Sequence, residues 1–216
     1  MAPTIPQSEV AICNLALDHL KQAPITALEG SNADQVSARC ARWYPQTRRA
    51  TLRIHPWNFA MTRIQVTPSL DYEPPFGFTH AYLKPNGFVR FIEFCDADGR
   101  SRRDQSYDME GEYFLANGED NESINMRFIK DIEDVSKFDP LFVQLFALDL
   151  AIILAPNFSS SEARVRTLMS LRQEALSQAT AIDGQERPPR RVQRSKFIES
   201  RHRASAAGAG EYTNFY

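Results

Sequence analysis

Cysteine is scarce in this 216-residue chain. There are three, Cys13, Cys40 and Cys95, with no CxxC pair and no Cys/His cluster at ligand spacing. An odd count so widely spread makes a poor disulfide framework and suits a reducing cytoplasm. The four histidines, His19, His55, His80 and His202, sit in no metal or catalytic motif. There is no GxSxG, no Walker loop and no dinucleotide GxGxxG. An excess of charge of one sign is missing too: 25 Lys+Arg stand against 27 Asp+Glu, a net of −2. Taken whole, that argues against a dedicated nucleic-acid binder. Long hydrophobic runs are also lacking. The most apolar stretch, Leu141–Ala155, contains Gln144 and Asp149 and falls short of the roughly 20 residues a bilayer needs, so it predicts a buried helix. The opening MAPTIPQSEV has neither the basic nor the apolar region of a signal peptide. These absences predict a soluble protein made in a cytoplasm, with no membrane contact, no cofactor, no metal and no catalytic residue set.

What is present is ordinary globular material, with 43% hydrophobic and 24% charged residues. That excludes a disordered chain, a collagenous one and a coiled-coil rod. The length suits one core of ordinary size or two small ones.

Ser8 caps a predicted first helix carrying Val10, Ile12, Leu15, Leu17 and Leu20. Pro24 and Gly30 mark the following loop, and Ser31 with Asp34 resembles a capping box. The second helix is predicted over residues 32–55, ending at Pro56. Its apolar face is predicted to be Val36, Cys40, Trp43, Thr47, Ala50 and Ile54. Arg39, Arg42, Gln46, Arg49 and Arg53 repeat at the same steps about a quarter-turn away. Pro45 predicts a kink or a split.

From Trp57 to Lys130 the pattern becomes strand-like. Six short segments, 63–67, 78–83, 88–94, 105–109, 112–116 and 123–129, are separated by Pro74-Pro75, Pro85-Asn86-Gly87, Asp98-Gly99 and Asn117-Gly118. Simple alternation puts Phe88, Arg90, Ile92 and Phe94 on one face of the third segment and Val89, Phe91 and Glu93 on the other. A sheet apolar on both faces needs cover from a helix or from a neighbouring subunit. Helices then return. Asp139-Pro140 opens one that runs to Leu154, where Asp149 needs a partner that the second helix's arginines are placed to supply. A last helix is predicted over 162–182, capped by Ser160 or Ser161 and followed by Gly184 and Pro188-Pro189. The acidic Glu119–Glu122 cluster reads as a solvated hairpin loop, and Asp131, Glu133 and Asp134 as the start of a short helix.

The fold class expected is therefore α+β. An antiparallel helical bundle (1–56 and 131–186) carries an inserted antiparallel β domain (57–130) and an extended C-terminal arm (187–216). The arm differs in kind, with seven basic and two acidic side chains, a net of +5, against −7 for residues 1–186. Its SAAGAG stretch cannot build a core, so the arm is expected to be flexible. Arg190, Arg191, Arg194 and Lys196 are interleaved with Phe197, Ile198, Phe215 and Tyr216, the pattern of a segment that orders on a partner.

Ile25-Thr26-Ala27-Leu28-Glu29-Gly30-Ser31-Asn32-Ala33-Asp34, then Arg39, Tyr44, Arg48, Arg49, Leu52 and His55-Pro56-Trp57-Asn58-Phe59-Ala60, resemble tail tubular protein A, the head-to-tail adaptor family of short-tailed bacteriophages. The resemblance covers residues 8–63 well and the remainder in architecture. Its motif residues Leu28, Glu29, Gly30, Trp57 and Phe59 are structural, not catalytic. The resemblance implies a virion protein assembled in the host cytoplasm, forming a ring of twelve beneath the portal protein. It further implies β parts facing the tail nozzle protein, an arm clasping the portal, and genomic DNA passing through the lumen without specific binding. Arg39, Arg42, Arg49 and Arg53 would line a subunit contact or the channel. The isolated chain is free to be a monomer. The alternative is a nucleic-acid-binding module that uses the arm and the arginine row on phosphates. A hydrolase acting on cell-surface polymer is a third class, for which the sequence offers no acid/base pair.

Overall fold

A computed structural model describes residues 8–30, 33–102, 105–118, 123–158 and 161–186. The chain divides into Met1–Gln185 and Glu186–Tyr216, and the architecture below is that of the first unit. The arm positions Arg190, Arg191, Arg194, Lys196, Phe197, Ile198, Phe215 and Tyr216 lie outside the described residues, as do Ser31 and the Glu119–Glu122 cluster.

The protein is mixed α+β, with four α-helices and two antiparallel three-stranded sheets. Helix α1 (Glu9–His19) starts where the Ser8 hydroxyl accepts the Ala11 N–H at 3.1 Å. Helix α2 (Gln35–Ile54) starts at Asp34, whose carboxylate accepts the Ser37 N–H at 2.7 Å. Asp34 is thus the cap itself and not the third residue of a box opened by Ser31.

Pro45 does not split α2, which runs unbroken through it. A proline inside a helix costs about 3 kcal/mol, and burial of Cys40, Tyr44, Thr47, Thr51 and Leu52 offsets that cost. The buried face is also rotated from the expected one: Ala50 and Ile54 are exposed, while Ser37, Tyr44 and Arg48 are buried.

Helix α3 (Pro140–Leu154) is the centre of the core. Asp139 caps it by accepting the N–H groups of Leu141 and Phe142, with Pro140 at the first position. It packs against α1, α2 and α4 (Glu162–Gln185). A 3-10 turn extends it, so the helical stretch Pro140–Phe158 has 19 residues at mean hydropathy 1.9, long and apolar enough to cross a membrane by length and composition. That corrects the expectation of a stretch too short to span. Burial identifies its role here: Phe142, Leu145, Phe146, Leu150, Ala151 and Leu154 are fully enclosed by the other elements. Helix α4 opens at Ser161, whose hydroxyl accepts the Arg164 N–H, and passes Gly184 to end at Gln185.

The strands are β1 (Met61–Val66), β2 (His80–Leu83), β3 (Phe88–Cys95), β4 (Tyr107–Glu110), β5 (Tyr113–Ala116) and β6 (Ile124–Lys130). They form one sheet in the order β1-β6-β3 and another in the order β2-β5-β4. Glu110-Gly111-Glu112 therefore closes a hairpin, with Gly111 at φ +49°. The turns at 85–87 and 117–118 instead carry the chain from one sheet to the other.

The β1-β6-β3 sheet is the middle layer. Val89 and Ile129 join the helical core, while Phe94, Ile124 and Met126 share a second core with Tyr82, Phe114 and Ala116 of the outer sheet. Both apolar faces are thus covered within the chain. Two irregularities in β3, between Phe88 and Arg90 and between Phe91 and Glu93, make this possible. Val89 and Ile92 are the extra residues, and they turn to the helices. Phe88, Phe91 and Phe94 then fall together on the outer core. Simple alternation had set Phe91 opposite Phe88 and Phe94, because a bulge shifts the side-chain phase by one.

Candidate functional site

The arginines of α2 separate into distinct environments. Arg48 is 5% exposed, and its guanidinium forks onto Asp131, with Nε at 2.9 Å and Nη2 at 3.1 Å, and reaches Glu133 at 3.2 Å. Burial works against its charge, but the hydrogen bond and charge of Asp131 win and hold its pKa above the ordinary value. Exposed Arg49 lies 3.7 Å from the same Asp131. Arg53 donates to the Val89 carbonyl, and Arg39 donates to the Asn157 carbonyl while lying over the Phe158 ring. Three members of the expected row are thus engaged within the chain, and Arg42 faces solvent.

Asp149 finds Arg172 of α4 as its cation, not an arginine of α2; from α2 it receives the Thr51 hydroxyl at 2.8 Å. Asp131 and Glu133 serve Arg48, and only Asp134 caps the short turn that follows. Arg48 belongs to the resemblance, but its burial and its pairing with Asp131 and Glu133 are what the sequence reading missed. The available signal was a charged residue at four-residue spacing from Tyr44 and Leu52, on the face that packing buries.

The motif residues have packing roles. Asn14 exchanges two hydrogen bonds with the Ile25 backbone, at 2.8 and 3.0 Å, and so fastens the loop after α1 to that helix. Leu28 packs on the helical core, Glu29 is exposed, and Gly30 adopts φ +92°. Trp57, 1% exposed, donates its indole N–H to the Thr51 carbonyl at 3.0 Å and meets Phe142 edge-on. Phe59 packs against Trp57, Phe138 and Phe142. Together they tie the end of α2 and the start of β1 to α3.

Another junction was not foreseen. His55 Nε2 lies 2.9 Å from Asp183, whose other oxygen accepts the Asn58 N–H at 2.8 Å. This joins the end of α2 to the last turn of α4. Among the described residues no group of three His, Cys, Asp or Glu converges as a metal site. All three cysteines are buried.

Between α1, the 21–30 loop and α2 lies a cavity of about 550 Å³. Glu9, Glu29 and Arg48 supply its charges, and Val10, Leu28 and Pro45 its apolar walls, with Ala41 and Tyr44 completing it. The Tyr44 hydroxyl is shut off from solvent and has no hydrogen-bond partner among the described residues. Leaving such a group unpaired costs about 1–3 kcal/mol. Burial, then the Glu9 charge, push its pKa up, so the proton stays on the oxygen.

Neither the family models nor the curated proteins compared with this chain match it.

Proposed function

We propose that the protein is a structural head-to-tail adaptor of a short-tailed bacteriophage, a ring of twelve subunits joining the portal to the tail nozzle. In this reading the helices form a bundle that packs side by side in the ring. The outer sheet faces the nozzle, DNA passes through the lumen, and a flexible basic arm docks on the portal. The observation that carries the reading is the role of the motif residues: Leu28, Trp57 and Phe59 are all spent on packing, Leu28 on the helical core and the two aromatic rings against Phe142 of α3. The charge split supports it as well, since a −7 body does not grip passing DNA and a +5 arm suits an acidic protein site. Twelve arms acting together allow each contact to be weak.

The test is mass measurement of the purified protein, alone and mixed with portal. A shift to a ring-sized complex is expected, and deletion of residues 187–216 is expected to abolish it while circular dichroism stays native. Portal binding that survives the deletion unchanged would remove the arm from the interface. Titration with duplex DNA separates the nucleic-acid reading, which requires binding that falls steeply with salt.

A further inference from the structure

We infer that the loop between β1 and β2, residues 67–79, is a plug that docks on the arginine-bearing face of α2 in a second copy of this chain. The inference deepens the ring reading by naming one contact between neighbours, and rests on it for the closure of that contact into a ring. The loop is tied down at several points. The Ser69 N–H donates to the Ala81 carbonyl at 2.7 Å, and the Thr79 N–H to the Asn117 side-chain oxygen at 3.0 Å. Tyr72 stacks on Tyr113 of β5 with ring centroids 4.8 Å apart, and Pro74 is buried. From this fixed base Leu70 and Phe76 stand in solvent, 96% and 84% exposed. Gly77, at φ +83°, turns the chain straight after Phe76 in a conformation that other residues avoid. Single exposed hydrophobics are ordinary. These two are the most exposed large ones among the described residues, and their loop is already ordered, so docking costs it little further freedom.

Charge selects the occupant. Residues 67–79 contain Asp71 and Glu73 and no lysine or arginine. Both carboxylates are exposed, and neither has an ion-pair partner among the described residues. That sign turns the loop away from nucleic acid and anionic lipid and toward a basic protein surface. The chain carries such a surface itself. Helix α2 holds five arginines and no Asp or Glu. Arg42, Gln46, Arg49 and Arg53 follow one another at steps of four, three and four along its exposed side, with Ala50 and Ile54 exposed beside them. Arg53 is tied to a carbonyl, which leaves its charge uncompensated. At the helix end Arg90 donates to the Arg53 and Ile54 carbonyls and adds a further positive charge there.

Apolar side chains within a charged rim are the ordinary anatomy of a protein interface. The loop supplies the negative half of such a contact and α2 the positive half. Because the two halves are different patches of one chain, the contact is head-to-tail, the type that forms a ring when its rotation closes. Opposite rim charges also fix its register.

The experiment is sedimentation velocity of the full-length protein at rising concentration, in low and high salt and without portal. Self-association is expected at low salt, weakened by added salt and lost in Leu70→Ser/Phe76→Ser. Asp71→Arg/Glu73→Arg and Arg42→Glu/Arg49→Glu are each expected to stay monomeric alone, because plug and socket then share a sign. Mixed together they are expected to associate, since each meets the reversed charge on the other. Circular dichroism checks the fold of every variant. The loop residues belong to neither core, so the serine variant decides the matter even where the α2 variant is unstable. A wild type that stays monomeric at low salt, unchanged association in the serine variant, or a mixture of folded reversed variants that stays monomeric would overturn the assignment. Failure of the ring reading looks different: the charge-dependent association persists, but adding portal yields no ring-sized complex.

Discussion

The two cores on either side of the middle sheet are made differently. The helix-side core is closed by polar ties that span the sequence: Arg48 to Asp131, Arg172 to Asp149, and His55 to Asp183. Among the described residues, none of these three ties enters the outer core. It is an aromatic cluster of Phe88, Phe91, Phe94 and Phe114 with Tyr82, under strands of four residues, and β4 is exposed along its whole length. Tyr107 and Met109 on that strand are 41% and 47% exposed. Buried ion pairs are weak sources of stability, yet breaking one is costly. The inner core is therefore specified in part by buried polar pairs, whereas the described residues of the outer core are held chiefly by aromatic packing.

The largest effect is expected where the inner core is tied to the strands. Trp57→Ala removes an indole that is 1% exposed, its hydrogen bond to Thr51 and its contacts with Phe59 and Phe142. A loss of about 5 kcal/mol is expected in urea unfolding followed by circular dichroism. A loss below about 2 kcal/mol would show that α3 holds without that anchor.

Phe114→Ala strikes the outer core, where the ring touches Phe88, Phe91 and Phe94. A cost of about 3–4 kcal/mol is expected, with a different distribution. Hydrogen exchange should accelerate in β2, β4 and β5 while α3 amides keep their protection, because sub-global opening follows the less enclosed layer. Equal acceleration in α3 would make the two cores a single cooperative unit.

Arg48→Met is expected to cost about 3 kcal/mol, since it leaves Asp131 buried beneath Arg49, a more distant and exposed cation. Adding Asp131→Leu should recover most of that loss. Failure of the second change to rescue would mean that Glu133 and Arg49 carry the contact.

The same contrast explains what could be read from the residues. Six strands and four helices follow from short-range signals: Ser8, Asp139-Pro140 and Ser161 start helices by chemistry local to each. The β3 phase was not legible, because its bulges answer to layers on both sides, and only the assembled sandwich says where Val89 and Ile92 must point. The partners of Asp149 and Arg48 were hidden for a related reason. Helical spacing gives a face but not the neighbour it meets, and 23 to 83 residues separate each pair. Of the candidate site, Leu28, Trp57 and Phe59 were legible by resemblance. Tyr44 belongs to the same resemblance, but its unpaired hydroxyl was not legible, because an unsatisfied group exists only once the walls around it do.

The smallest effect concerns the cap that starts α2, and it sharpens the comparison by isolating a tie made at the surface. The Ser37 backbone N–H, then the Ser37 side chain, hold the Asp34 carboxyl below its ordinary 3.8. A carboxylate whose native pKa is depressed adds stability above its unfolded value and loses it as pH falls through the native value. Asn caps helices about as well as Asp and does not titrate in this range. Asp34→Asn should therefore match or slightly trail the wild type near neutral pH, where the negative charge also favours the helix start. The wild type should lose ground to the variant below about pH 4. Thermal midpoints of both proteins between about pH 6 and about pH 2 check this, with Asp134 titrating equally in each. A constant difference across that range would mean that the cap hydrogen bond acts independently of the charge.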